Sequence, residues 1–154
     1  MGLFDSKKNE SITSFEKVFW RISGMRCSDE YEILSKDGIA EITEYRMYCA
    51  SGGMERRPER SRAVSDAEVI QLFNDCQILK WDGFHGKHPK NVRDGEMFTF
   101  SATVNEGRTI NAEGSENFPK YFREFRNEIY RILSEGSTML NQNTDVHSAK
   151  RKFR

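Results

Sequence analysis

Two histidines, His85 and His88, lie three residues apart, and Asp82 and Asp94 flank them. Neutral imidazoles and carboxylates are the donors that zinc and similar divalent ions take in proteins. These four residues are therefore a candidate metal site. The glutamate of a His-Glu-x-x-His motif is absent, and solvated histidines beside two turn-forming Asp-Gly pairs explain the same residues. We predict no cofactor and keep a divalent metal, bound or used for hydrolysis, as the alternative.

The segment that carries these histidines, residues 81–95, also contains Trp81 and Phe84. Connections of this length inside a domain are uncommon unless they bind something or pack against something. Aromatic side chains bring a large contact area to either task. The sequence thus predicts that Trp81 and Phe84 contact a partner, with packing of the segment onto the helices as the alternative.

A second candidate site follows Ser51, where Gly52 and Gly53 precede Arg56 and Arg57. Successive glycine amides can surround an anion, and guanidinium groups suit phosphate or carboxylate. The Lys-Ser/Thr ending of a phosphate-binding P-loop is absent. We predict a loop over residues 51–62 that binds a small anion or a nucleotide, and a solvated loop of mixed charge as the alternative.

Catalytic motifs are absent from the chain. There is no Gly-x-Ser-x-Gly elbow, and Cys27, Cys49 and Cys76 are far apart, with no Cys-x-x-Cys pair. An odd number of widely spaced cysteines argues against a disulfide framework or a zinc knuckle and is typical of free thiols in a reducing compartment. The sequence favours a cytoplasmic, non-enzymatic protein and leaves catalysis open.

Composition excludes other classes of function. The chain has 24 basic and 24 acidic residues, and four of the basic ones lie in the last five positions, which leaves 20 basic against 24 acidic residues elsewhere. A chain with this excess of acidic residues is poorly suited to bind the phosphate backbone of nucleic acid. No apolar run approaches the roughly 20 residues that a membrane-spanning helix needs. We therefore expect neither nucleic acid nor a membrane span.

Hydrophobic periodicity places the elements of the first half of the chain. Alternation over residues 15–22 predicts a strand, and residues 31–35 and 39–49 form a predicted hairpin around Asp37-Gly38. Ser65 and Glu68 make a capping box. The apolar stripe that follows predicts a helix as far as Leu79.

The second half repeats this pattern. Residues 96–104 form the clearest predicted strand, with Phe98, Phe100, Ala102 and Val104 on one side, and residues 108–113 follow a turn, so we predict a second hairpin. Phenylalanines and isoleucines at helical spacing after Pro119 predict a second helix.

The predicted order is β-β-β-α-β-β-α, an α+β fold with an antiparallel sheet of hairpins and two helices on one face. We predict a flexible N-terminal segment over residues 1–14, a single domain over 15–134, and a polar tail over 135–154 that ends in basic residues. The other sheet face is either solvated or paired with a second copy, so the protein is predicted to be a monomer or a homodimer.

Three short motifs carry a resemblance. They are Trp81-Asp82-Gly83-Phe84, Asp94-Gly95 before a strand, and Gly114-Ser115-Glu116-Asn117-Phe118-Pro119 before a helix. In these motifs the chain resembles a group of small bacterial α+β proteins to which no activity has been assigned. The resemblance implies the fold class and no catalytic residue.

Taken together, these patterns predict a non-enzymatic binding or protein-interaction module whose partner is a protein or a small ligand. A metal-binding protein or metal-dependent hydrolase that uses the 82–94 segment is the first alternative. A binder of small anions or nucleotides through the 51–62 loop is the second.

Overall fold

The computed structural model describes residues 10–24, 28–90, 95–135 and 138–139, without the side chains of residues 49, 50, 138 and 139. The strands are β1 (Phe15–Ser23), β2 (Ser28–Lys36), β3 (Ile39–Ala50), β4 (Gly53–Ser65), β5 (His85–Gly86), β6 (Met97–Val104), β7 (Arg108–Ser115) and β8 (Thr138–Met139). The helices are α1 (Asp66–Asp75) and α2 (Phe122–Ser134), and a 3₁₀ helix covers Ile78–Trp81.

All eight strands described belong to one sheet, in the order β5-β7-β6-β1-β2-β3-β4-β8. Every neighbouring pair is antiparallel except β5 and β7, which run parallel over two residues. Six strands are long, and β5 and β8 are two-residue strands at the edges. The predicted α+β fold, with an antiparallel sheet built from hairpins, is confirmed.

The core lies between one face of the sheet and the two helices. In β6, Phe98 and Phe100 are buried while their neighbours in sequence are exposed, as the sequence predicts. The Trp20 ring of β1 stacks on Tyr31 at 5.0 Å between centroids and meets Phe125 of α2 edge-on at 4.9 Å. Because α1 and α2 both cover this face, the odd-numbered residues of β6 and β7 lie on the other face, which no helix of the described residues covers and which is called the open face below.

The loop predicted over residues 51–62 is wrong, because all of it from Gly53 onward belongs to strand β4. It pairs with β3 from Gly53 to Ser65, so four strands and not three precede α1. The strand has no apolar alternation, and three of its six charged side chains lie against tyrosines of β3. The Arg56 guanidinium lies 3.6 Å from the centre of the Tyr45 ring, for example. Tertiary pairing therefore outweighs a local sequence that is typical of a loop.

The packed part of the chain begins before residue 15, where we placed the start of the domain. Ile12 is buried in the core. Its amide donates to the Asn74 side chain at 2.8 Å, and the Thr13 amide donates to the Asn105 side chain at 2.8 Å. At the other end, Thr138 and Met139 pair with β4.

The predicted capping box is present in part, since the Glu68 amide donates to the Ser65 hydroxyl at 3.2 Å. The helix ends at Asp75, before the predicted limit, because Gln77 adopts a left-handed conformation with φ of 56°. A 3₁₀ turn then brings Trp81 into the core. Among the described residues, no helix combines the length and apolar character that crossing a membrane requires.

Candidate ligand-binding cleft

Trp81 belongs to the core. Its side chain is 2 % exposed, its ring meets Phe100 edge-on at 5.0 Å, and its indole N–H donates to the Lys120 carbonyl at 3.0 Å. The prediction that this ring contacts a partner is therefore corrected, because a partner cannot reach it in this fold. Phe84 is partly buried and packs against Phe98, at 6.2 Å between ring centres.

The segment after Trp81 is bound to the edge of the sheet by its main chain. The Asp82 carboxylate accepts from the Asn111 amide at 2.9 Å, and the Gly83 amide donates to the Asn111 carbonyl at 2.8 Å. The Glu113 amide then donates to the Phe84 carbonyl at 3.1 Å. These bonds hold residues 82–86 beside β7, so the described part of the predicted loop is a wall attached to the sheet.

Close contacts of Gly86 and Gly114 with Asn117 hold this wall in place. A Cβ atom built on Gly114 would lie 2.1 Å from the Asn117 carbonyl oxygen, and one built on Gly86 would lie 2.6 Å from the Asn117 Cβ. Real side chains do not approach to such distances, so both positions need glycine. The glycine of the Gly114-Ser115 motif is thus explained by packing.

The wall and the open face enclose a cleft of about 610 Å³, called the open-face cleft. Its bed comes from β1, β6 and β7, and residues 85–88 form one side. The described side chains that line it and can act on a ligand are Arg21, Ser23, His85, Lys87, His88, Met97, Thr99, Glu113 and Ser115.

The sheet register sets out the bed of the cleft in rows. Thr99 lies opposite Arg21 on one side and Glu113 on the other, and Glu113 lies opposite His85. Met97, in the next row, lies between Ser23 and Ser115. Arg21 and Glu113, which carry opposite charges, therefore lie on the two sides of Thr99 in this row.

Each histidine of the wall is paired with a side chain of β7. The Nδ1 atom of His85 lies 2.8 Å from a Glu113 carboxylate oxygen. An ionised carboxylate only accepts, so Nδ1 donates and Nε2 is the remaining ring nitrogen for a ligand. The Nδ1 atom of His88 lies 2.7 Å from the Ser115 hydroxyl.

A second recess of about 470 Å³ adjoins the cleft and shares His85, Thr99 and Glu113 with it. Its far end is formed by Phe19, which is partly exposed on the open face, and by Asn111. The two volumes make one trough that runs along the strands, polar at the Ser115 end and aromatic at the Phe19 end.

The four residues predicted to bind a metal are only partly placed. Asp82 is held by the Asn111 amide, while His85 and His88 face separate partners on β7. Asp94 lies outside the described residues. Within the described ranges, no group of three or more His, Cys, Asp or Glu side chains is placed to hold a metal ion.

The residues predicted to bind an anion do not converge. Gly52 lies in the turn between β3 and β4, and Gly53 is the first residue of β4. The two glycines therefore do not form the predicted binding loop. Arg56 binds Glu30 at 2.8 Å, whereas Arg57 binds Glu55 at 3.1 Å. As neighbours on a strand, these arginines point to opposite faces of the sheet.

Most of the cleft residues were not identified from the sequence, and Arg21, Thr99 and Ser115 are examples. Thr99 was correctly placed on the outward side of its strand, but its neighbours on β1 and β7 depend on the register. The pairing of β1 with β6 crosses most of the chain and leaves no local signal. Alternation alone therefore identifies the open face without showing which side chains meet on it.

Comparison of the chain with family models, with curated proteins and with solved structures found no match. The resemblance to a bacterial group of proteins therefore stays a prediction. The cleft and the chemistry of its lining residues are therefore the basis for a proposed function.

Proposed function

We propose that this protein is a non-enzymatic binding module that holds a small ligand in the open-face cleft. The observation that supports this is the cleft itself, about 610 Å³ in volume and lined by polar groups from three strands and the adjoining wall. Ligand sites in proteins have volumes of about 300–1,000 Å³ and a few polar groups that fix orientation. The cleft has both properties.

The walls of the cleft are formed before any ligand arrives. The hydrogen bonds that Asp82, Gly83 and Phe84 make with the main chain of β7 fix one side, and the pairing of β1, β6 and β7 fixes the bed. A preformed site loses little conformational freedom on binding, so more of the contact energy remains as affinity. This supports binding of a small ligand over docking of a large partner surface.

The arrangement of side chains favours binding over catalysis. A hydrolytic triad needs a nucleophile that is hydrogen-bonded to a base, and the same base must be hydrogen-bonded to an acid that orients it. Here Ser115 meets His88 while Glu113 meets His85, and no described contact links the two pairs. Two separate pairs supply donors and acceptors to a ligand without forming such a relay.

The test is a fragment screen that reads amide shifts in ¹⁵N-labelled protein. We expect shifts to cluster at Thr99, Glu113 and Ser115, and ligands to be recovered unchanged after incubation. Thr99→Trp should fill the cleft and abolish the shifts. Thr109→Trp, an exposed position on the same face outside both recesses, is the matched control.

Two results would end this proposal. Shifts that cluster away from the open face, or that persist in Thr99→Trp, would mean that the cleft is not the binding site. Conversion of a bound fragment into a product would show that the protein is an enzyme.

A metal-binding function is the second candidate, favoured by one observation. His85 holds Nδ1 against the Glu113 carboxylate at 2.8 Å. Metal-ligating histidines usually hold one ring nitrogen in this way and present the other to the ion. Titration with Zn²⁺ tests it: we expect stoichiometric binding that His85→Ala removes, and weak binding unaffected by that change would exclude it.

A further inference from the structure

We infer that the open-face cleft takes a small organic carboxylate, whose carboxylate group binds Arg21 and whose body lies over Thr99 and Met97. The inference rests on the proposed function, because it names the class of ligand for the same cleft. It is carried by the charge of the lining, by the placement of Arg21 and by the shape of the bed.

The described lining of the cleft has more hydrogen-bond donors and positive charge than negative charge. Arg21 and Lys87 are cations and the two imidazoles can donate, whereas Glu113 is the one carboxylate among the described lining residues. That carboxylate is already engaged by the Nδ1 atom of His85 at 2.8 Å. A ligand with a negative group therefore meets a complementary surface.

Arg21 is held in place and still offers donors to the cleft. Its Nε and Nη2 atoms lie 3.2 and 3.0 Å from one oxygen of Glu30, and its side chain remains 50 % exposed. Because a guanidinium group has five N–H donors in a fixed plane, these contacts fix its orientation and leave other donors for a ligand.

The partner of Arg21 does not neutralise it fully. The Glu30 carboxylate is also bound by Arg56, at 2.8 Å through its other oxygen. One carboxylate thus faces two guanidinium groups. Arg21 is the one of the two that lines the cleft, so the remaining positive charge is directed at the ligand site.

The shape of the bed favours a carboxylate over a phosphate. A guanidinium edge binds a carboxylate or a phosphate with two parallel hydrogen bonds, so the main chain of the bed has to distinguish them. Phosphate sites are usually built from several free main-chain amides, at a helix start or in a glycine-rich turn. The bed here is strand backbone whose amides serve the pairing of β1, β6 and β7.

The body of the ligand has an apolar surface to cover. Met97 is 55 % exposed at the centre of the row between Ser23 and Ser115, next to the row that contains Arg21. Burying apolar surface on this side chain adds about 25 cal/mol per Å². The class of ligand is therefore an acid with a short apolar body.

The experiment uses two probes of the same skeleton, 4-phenylbutyrate and 4-phenyl-1-butanol, with inorganic phosphate as a third. Each is titrated into the full chain while the amide shifts of Thr99 and Ser115 are followed. We expect the acid to bind at least tenfold more tightly than the alcohol. Arg21→Gln should remove that difference.

The matched control is Arg57→Gln, which removes an equally exposed arginine that does not line the cleft. It should leave the preference for the acid unchanged. Melting temperatures of both variants within a few degrees of the parent protein show that neither effect comes from unfolding.

Three outcomes overturn the inference and leave the proposed function standing, provided that other fragments shift the same amides. They are equal affinity for the acid and the alcohol, an unchanged preference in Arg21→Gln, and binding of phosphate as tight as that of the acid. If no fragment of any charge shifts the cleft amides, the proposed function itself fails.

Discussion

Two buried glutamates, Glu44 and Glu30, lie on opposite faces of one sheet and have different surroundings. Glu44 is on the face that the helices cover, where it accepts from the Tyr31 hydroxyl at 2.9 Å and from Arg60 at 2.8 Å. Glu30 is on the open face, where it binds Arg21 and Arg56. The first carboxylate is matched by one cation, and the second faces two.

The difference separates a structural ion pair from a candidate binding surface. Arg60 is 16 % exposed and also donates to Ser134 of α2, so the pair at Glu44 is closed off by the helices. Burial, followed by the charge of Glu44, raises the pKa of the Tyr31 hydroxyl well above its usual range. On the open face, the half-exposed arginines leave their outer edges to solvent or to a ligand.

The largest effect expected from this comparison is that of Glu44→Gln. The change leaves the charge of Arg60 without its partner beneath α2, and breaking a buried pair in this way costs about 3–5 kcal/mol. We expect the free energy of unfolding in urea to fall by that amount. Glu41→Gln, an exposed position on the same strand, should change it by less than about 0.5 kcal/mol.

A similar loss of unfolding free energy in Glu44→Gln and Glu41→Gln would contradict the assignment of Glu44 to a buried ion pair. A small loss in Glu44→Gln would mean that water reaches the pair.

A smaller effect is expected at the seat of the cleft wall. Gly114→Ala places a Cβ atom 2.1 Å from the Asn117 carbonyl oxygen, so the backbone must shift. Such overpacking costs about 1–3 kcal/mol. Gly52→Ala is the control, because no atom lies within 4 Å of its added Cβ.

Thermal unfolding of both glycine variants measures this effect. Equal melting temperatures would show that the wall is not seated by close contact. If Gly114→Ala loses ligand binding in the cleft with only a modest loss of stability, the contact between Gly114 and Asn117 is needed for the shape of the open-face cleft.

The sequence allows the covered face to be predicted better than the open one. Apolar periodicity identifies Phe98, Phe100 and Phe125 as core, because burial leaves a repeating pattern in a single strand or helix. The hairpin turns and the start of α1 also follow from local residue types. These features depend on neighbours a few residues apart.

The candidate site depends on distant pairing and could not be predicted in the same way. Arg21 meets Thr99 only because β1 pairs with β6, and the charged strand β4 is held by tyrosines of β3. A polar strand has no hydrophobic repeat that distinguishes it from a loop. The sequence identifies residues 81–95 as an unusual segment, but it does not show that His85 and His88 contact side chains of β7.

The effect of Glu30→Gln on stability should be smaller than that of Glu44→Gln, although the substitution is the same. Its partners Arg21 and Arg56 are 50 % and 42 % exposed, so water solvates them when the charge is lost. Pairs of this kind contribute up to about 1 kcal/mol. Urea unfolding should show a loss below that value, and a loss equal to that of Glu44→Gln would remove the distinction between the faces.

The last expected effect is a dependence of stability on pH at Cys76, on the covered side at the end of α1. Burial, and then the charge of Asp75, raises the pKa of its thiol to about 11 from the usual value of 9.0. Because the folded state favours the neutral thiol, this contribution to stability is complete below pH 9 and is lost as the pH rises towards 11. The free energy of unfolding should therefore decline across that interval.

Alkylation of Cys76 measures the same burial more directly. In a Cys27→Ser, Cys49→Ser background at pH 8, a pKa of about 11 should make the thiolate of Cys76 on the order of a hundredfold scarcer in the folded chain than in the unfolded one. We expect iodoacetamide to react at least about a hundredfold more slowly with native protein than with protein in urea. Rates within tenfold of each other would show that the covered side opens to solvent and would weaken the contrast between the two faces.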